Sequence, residues 1–343
     1  MADPSPSQST ELNQKLLENA WELFDIYSDT ASKTKKRFLN FRITLLVMGV
    51  VSTALVVVLS AWDHPNLQSA VKFASGNKAE TIAGIKNIFY TLAVIAPIAV
   101  SVLLAASVKL DRGMNWILLR ASAEKLKKEI YLYRVDSFYD NRNNADNSLA
   151  KKIEEVSDRL MKTEVNRSGL VIESNKSKIA LQTKVRFSSL TADQYLKYRL
   201  IDQLSWYRSQ TVKLDRQWQL LQWSIYVLGG LGTFWAAMQE QIWIAITNAI
   251  ATAITSYLDF KQLDSTLVCY NQAAFNLENV LCWWYALTDK DRADPKSIKK
   301  LVKSTEDVIQ AETSSWVAEM SEAVSKLYEE NKDPQDKPSN ESN

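Results

Sequence analysis

Two stretches, Ile43–Trp62 and Asn87–Ala106, constrain this chain more than any other feature. Each is an apolar run of about 20 residues, the first wholly uncharged, and a helix of that length crosses a hydrocarbon core of about 30 Å. A second pair follows at Gln219–Met238 and Ile242–Leu258. The fold class expected is therefore all-α. The chain reads as an integral membrane protein with four transmembrane helices in two hairpins, spans 43–62 with 87–108 and 219–238 with 242–258, and long cytoplasmic helical extensions.

Composition shows how much of the chain lies outside the bilayer. Charged residues make up 23% of the 343, so about half of the chain must face water. The formal net charge of +2 gives no case for nucleic-acid binding, which wants a basic stripe on one face. Cys269 and Cys282 project from different faces of one expected helix and cannot pair, which suits a reducing compartment. No cleavable signal pattern precedes Ile43. Trp62, Trp218, Trp223, Trp235 and Trp243 fall near span ends, where amphipathic rings anchor at the interface.

Basic residues orient the spans. Lys33, Lys35, Lys36, Arg37 and Arg42 precede the first, and Lys109, Arg112, Arg120 and Lys125 follow the second. Lys72, Lys78 and Lys86 are the only basic residues of the intervening loop. Arg199, Arg208, Lys213 and Arg216 precede the third span, while the Gln239–Gln241 turn has none. By the positive-inside rule both termini are cytoplasmic and both hairpin tips face outward. Lys35, Lys36, Arg37, Lys213 and Arg216 would also meet anionic inner-leaflet lipid, at about 1 kcal/mol each.

The two hairpins read as copies of one unit. Tyr27, Lys33, Lys36 and Phe38 share their spacing with Tyr207, Lys213, Arg216 and Trp218. Behind the hairpins, Ala123, Leu126, Ile130 and Tyr133 match Ala274, Leu277, Leu281 and Trp284. The order along the chain is then a disordered tail (1–9), a first helix-hairpin-helix unit (10–168), a linker (169–190), a second unit (191–290), a C-terminal amphipathic helix (296–331) and a disordered tail (332–343). Thr191 with Gln194 forms a capping-box pattern ahead of the helix that leads into span 3. Tyr139–Asn147 reads as a turn-forming linker. Past Tyr257 the helical pattern meets no Pro or Gly until Pro295, so spans 2 and 4 are expected to continue as rods.

Catalytic constellations are missing, so no enzyme activity, metal or cofactor is expected. His64 is the single histidine. Gly229, Gly230 and Gly232 lack the Lys-Ser/Thr of a phosphate loop and lie inside a span, where small residues permit close approach or bending. Pro97 removes a backbone hydrogen bond within span 2 and is, with those glycines, a candidate hinge. In span 4, Asn248, Thr252, Thr255 and Asp259 recur at i, i+4, i+7 and i+11, a polar strip along one face. Such a strip would line a water-filled cation path, with Glu240 as an acidic group at the outer mouth. The alternative is that these groups bond between packed helices.

Three segments carry a family resemblance: YLKYRLIDQLSWYRSQTVKLDRQWQ (195–219), YNQAAFNLENVLCWWYAL (270–287) and WILLRASAEKLKKEIYLYRV (116–135). With their hairpins they resemble the SLATT superfamily of bacterial two-transmembrane domains, here as two tandem units. The resemblance implies two spans followed by an extended cytoplasmic helix, homo-oligomerisation into a pore, and an effector role gated through the cytoplasmic helices. Since no sensor domain is recognisable, any trigger is expected to come from a separate regulatory protein or from the membrane itself. A non-conducting scaffold or sensor that recruits partners through the Trp316 face of the last helix is the competing expectation.

Overall fold

The computed structural model describes residues 6–60, 62, 79–110, 113–135, 142–167 and 186–330. His64, Lys72 and Lys78, the linker residues 168–185 and the C-terminal tail lie outside the described residues. The helices are α1 (Pro6–Ser60), α2 (Ala79–Leu110), α3 (Gly113–Arg134), α4 (Arg142–Met161), α5 (Ala192–Tyr195), α6 (Asp202–Ala237), α7 (Gln241–Lys261), α8 (Leu263–Ala286), α9 (Asp289–Arg292) and α10 (Pro295–Glu330). A π-helical stretch, Leu196–Ile201, joins α5 to α6. No strand occurs among the described residues, and the protein is all-α as its pattern predicts.

The chain divides into two compact units made of interleaved segments. The first comprises residues 1–36, 112–215 and 264–321; the second comprises 37–111, 216–263 and 322–343.

The first unit is a helical bundle with conventional cores. Leu17, Ala20, Trp21 and Tyr27 of α1 pack with Leu119, Ala123, Leu126 and Ile130 of α3 and with Leu149, Val156 and Leu160 of α4. On α3 these residues recur three or four apart, and those of α1 and α4 keep to the same helical phase, so each helix presents one apolar stripe. Leu204 and Tyr207 of α6 bury against Ala273 and Leu277 of α8 and Ile309 of α10. Thr191 caps α5 by accepting from the Gln194 N–H at 3.3 Å, while the Gln194 side chain accepts from the Thr191 N–H at 3.1 Å. The capping box is thus formed as its sequence indicates.

A buried ion pair joins this bundle. Arg199 donates from Nε and Nη2 to the two carboxylate oxygens of Glu306, each at 2.8 Å, and Tyr195 OH donates to Glu306 Oε1 at 2.9 Å. Both charged side chains are almost wholly buried, and the guanidinium lies 4.5 Å from the Tyr131 ring centroid. Burial opposes the charged guanidinium, but Glu306 outweighs it and raises the Arg199 pKa. Burial, then the Glu306 charge, pushes the Tyr195 phenol well above its ordinary value.

The second unit turns its apolar side chains outward. Ile43, Val47, Val51, Ile88, Val94, Ile95, Ile98 and Val102 are all exposed. The stretches Gln14–Ser60 and Ile82–Ala105 each contain a window long and apolar enough to cross a membrane, and 6% of each window is buried. A core helix of a water-soluble domain would bury most of such a window, so lipid is the solvent that matches this surface. α6 and α7 form the second hairpin, joined by a short turn with Gln239 at φ 60 and bracketed by the stacked rings of Trp235 and Trp243, 5.6 Å apart. More polar than the first pair, α6 and α7 are not among the helices apolar enough to qualify as spans, so two spans are supported directly.

Two expectations need correction. Span 4 does not continue as an unbroken rod. Gln262 takes a left-handed conformation (φ 49), its N–H closes α7 on the Leu258 carbonyl, and α8 restarts at Leu263. Without a Gly or Pro, that break is held by the Gln262 side chain, which donates to the Asp259 carbonyl at 2.6 Å. α1 runs unbroken through Lys36 into span 1, and α6 runs unbroken through Arg216 into span 3, while residues 111–112, where span 2 would continue, lie outside the described residues. Likewise, part of the Tyr139–Asn147 linker is helical, because α4 begins at Arg142.

Candidate functional site

The polar strip of α7 is laid out as its spacing requires. Asn248, Thr252, Thr255 and Asp259 are all exposed, while Thr247 beside them is buried. Thr255 Oγ1 donates to the Ala251 carbonyl at 3.0 Å, and buried Thr247 satisfies its hydroxyl on the Trp243 and Ile244 carbonyls. Thr252, Thr255 and Asp259 are thus presented outward, while Asn248, exposed as well, has its Oδ1 beside Gly232 of α6, 3.9 Å from where a Cβ there would stand. Glu240 is half-buried at the start of α7 and caps no backbone N–H with its side chain.

The hinge candidates lie inside continuous helices. α2 passes through Pro97, whose carbonyl accepts from Ser101 Oγ at 2.9 Å. Gly229 and Gly230 face open space, whereas a Cβ on Gly232 would stand 3.4 Å from Thr247 Oγ1. Gly232 is thus the glycine at which α6 and α7 come close. Lys36, Arg37, Lys213 and Arg216 are exposed, and Lys35, also exposed, holds its ammonium 4.9 Å from the Trp116 ring centroid.

The first unit contains a site that the sequence does not announce. A cavity of about 190 Å³ opens among α1, α3, α6, α8 and α10. One wall is aromatic: Trp206, Tyr207 and Tyr270 have ring centroids 5.2–5.4 Å apart. Across from it, Trp116 meets Trp316 at 5.2 Å. Glu312 lines the cavity and accepts from Tyr207 OH at 3.0 Å and from Thr313 Oγ1 at 3.4 Å. Arg120 and Glu124, also on the wall, pair at 2.7 Å. Burial, reinforced by the Glu124 charge, pushes the Glu312 carboxyl up to about 7, against the hydrogen bonds from Tyr207 and Thr313 and the charge of Arg120. Against burial, Arg120 and then Lys127 and Arg199 hold the Glu124 carboxyl below its ordinary value.

One signal in the sequence marks this site. Glu312 precedes Trp316 and Met320 at intervals of four, so a carboxylate falls on the apolar stripe of α10. Trp316 and Met320 are themselves buried, which removes that face as an open docking surface. Among the described residues, no group of three or more His, Cys, Asp or Glu is placed to hold a metal ion.

These features define a helical protein with a lipid-facing unit and a water-facing bundle. Residues 195–316 match the model of the SMODS and SLOG-associating 2TM effector domain 1, to which that stretch is similar. Residues 22–147 match a family described as a protein of unknown function, DUF4231. No curated protein and no solved structure matches the chain.

Proposed function

We propose that this protein is a homo-oligomeric, pore-forming membrane effector, cation-permissive and gated through its cytoplasmic helices. The observation that carries this reading is the outward polar face of α7, in a unit whose other outward side chains are largely apolar. Polar groups facing lipid are unfavourable, because hydrocarbon offers them no partner. A face of Asn248, Thr252, Thr255 and Asp259 is best satisfied by water or by the same face of further copies. Packed around an axis, several copies would line a water path with an acidic group near each mouth, Asp259 and Glu240.

Four spans follow in this reading, with α6 and α7 as the third and fourth. The exposed apolar rings of Trp223, Tyr226 and Phe234 on α6 support insertion of that hairpin. The two units of the tandem are supported by matched burial: Tyr27 with Tyr207, Leu126 with Leu277, and Tyr133 with Trp284 are all buried. Both termini are then cytoplasmic in a bacterial membrane, Lys35, Lys36, Arg37, Lys213 and Arg216 sit at the inner leaflet, and Pro97, Gly229, Gly230 and Gly232 are the hinge positions. The protein acts without catalysis, and its trigger is a separate regulatory protein or a small ligand.

The scaffold alternative is weakened by the burial of Trp316 and Met320, which leaves its docking face occupied. Ion flux from liposomes tests the pore. Replacing Asn248 and Thr252 together by leucine is expected to abolish flux while leaving membrane insertion intact; wild-type flux in that variant would remove α7 from the lining.

A further inference from the structure

We propose that the cavity of the first unit is a binding site for a small organic cation, a quaternary ammonium or protonated amine. Its charge would sit between the Glu312 carboxylate and the faces of Tyr207, Tyr270 and Trp206.

The charges of the cavity lead to this class. Of its cations, Arg120 is neutralised by Glu124 at 2.7 Å, and Lys35 lies against Trp116 on the other wall. Of its carboxylates, Glu124 is matched by Arg120, while Glu312 has hydroxyl donors but no ion-pair partner among the described residues. Arg120 acts on Glu312 only through space and is itself bonded to Glu124, so what Glu312 lacks is a positive charge in contact with it. Trp206, Tyr207 and Tyr270 line the same cavity as Glu312 and pack within 5.4 Å of one another, and an aromatic ring attracts a cation at its face. Lys35 over Trp116 shows that the cavity already takes an ammonium on a ring face. At about 190 Å³ the space is below the roughly 300–1,000 Å³ of pockets that enclose drug-sized ligands, so the guest is small.

Titration supports the geometry. The groups acting on Glu312 are Tyr207 on α6, Glu124 and Arg120 on α3 and Thr313 beside it, and Lys35 on α1, Gln203 on α6 and Tyr270 on α8 share the cavity with it. The Glu312 charge in turn helps burial raise the Tyr207 and Tyr270 phenols, and burial with Glu319, aided by Glu312, pushes the Cys269 thiol up to about 11. With the Glu312 carboxyl at about 7, about one molecule in eleven is ionised at pH 6 and ten in eleven at pH 8. A quaternary ammonium that needs the carboxylate therefore binds about tenfold tighter at pH 8 than at pH 6, and releases about half a proton at pH 7. Ser32 and Lys35 of α1 and Gln203 and Trp206 of α6 line the cavity, and both helices continue unbroken into the second unit. Occupancy thus acts on the helices that lead into spans 1 and 3, a role that rests on the pore reading.

Calorimetric titration of the purified full-length protein in detergent, with choline, putrescine and AMP as probes, tests the site without reference to flux. Choline or putrescine is expected to bind saturably, with the tenfold gain from pH 6 to 8, and binding is lost in Glu312→Gln. If Glu312→Gln fails to keep wild-type near-ultraviolet dichroism, Trp206→Leu serves instead and weakens choline at both pH values. Absence of cation binding at millimolar concentration, affinity independent of pH, undiminished binding in both variants, or saturable binding of AMP alone would each overturn the proposal.

Discussion

Replacing Glu306 by leucine removes three hydrogen bonds at once, two from Arg199 and one from Tyr195. It leaves a guanidinium in a site where the side chain is only 2% exposed. Breaking one partner of a buried pair costs about 3–5 kcal/mol, chiefly because the remaining charge has lost both water and its counter-ion. Against a typical total of about 5–15 kcal/mol, that is a large fraction of the stability of the first unit. The double variant Arg199→Met with Glu306→Leu removes the stranded charge and is expected to recover most of the loss. Urea unfolding in detergent, followed by tryptophan fluorescence, reads both variants and yields the coupling energy from the cycle. A Glu306→Leu protein within about 1 kcal/mol of wild type, or a double variant no more stable than the single, would refute the view that this pair is a buried, mutually dependent charge.

Two further outcomes follow from local structure. Thr191→Ala removes the cap of α5 and is expected to cost about 1 kcal/mol in the same unfolding assay, with Thr191→Asn restoring most of it. Glu155 is held down at about 2, first by its hydrogen bonds from Lys152 and Lys125. A depressed carboxylate stabilises fully above its unfolded value near 4.3 and loses that effect as pH falls toward about 2. Acid unfolding of Glu155→Gln should therefore be less steep in that window, and an unchanged profile would show that these bonds do not form in solution.

The first hairpin and the helical bundle were legible because their signals are repetitive: an uncharged run from Ile43, and apolar stripes such as Leu149, Val156 and Leu160. The capping box was legible from Thr191 and Gln194 alone, since its chemistry is local. The break at Gln262 was not, because a left-handed residue held by its own side chain leaves no Gly or Pro in the sequence. Nor was the cavity, which gathers Lys35, Arg120, Tyr207, Tyr270 and Glu312 from five helices far apart in the chain. Its components separately look like solvated charges and core aromatics. Arg199 with Glu306 is the same case: two charges whose partnership exists only once α10 lies on the π-helical turn. The polar strip of α7 was readable as a face, and the structure adds that the face is presented outward.

The measurement that bears most directly on the proposed pore is ion flux from dye-loaded liposomes holding the purified protein, wild type beside Asn248→Leu/Thr252→Leu. Flux in the wild type that disappears in the inserted, correctly assembled variant is the predicted result. An inserted wild-type oligomer that passes no ions, with or without cytoplasmic extract or choline, would contradict it.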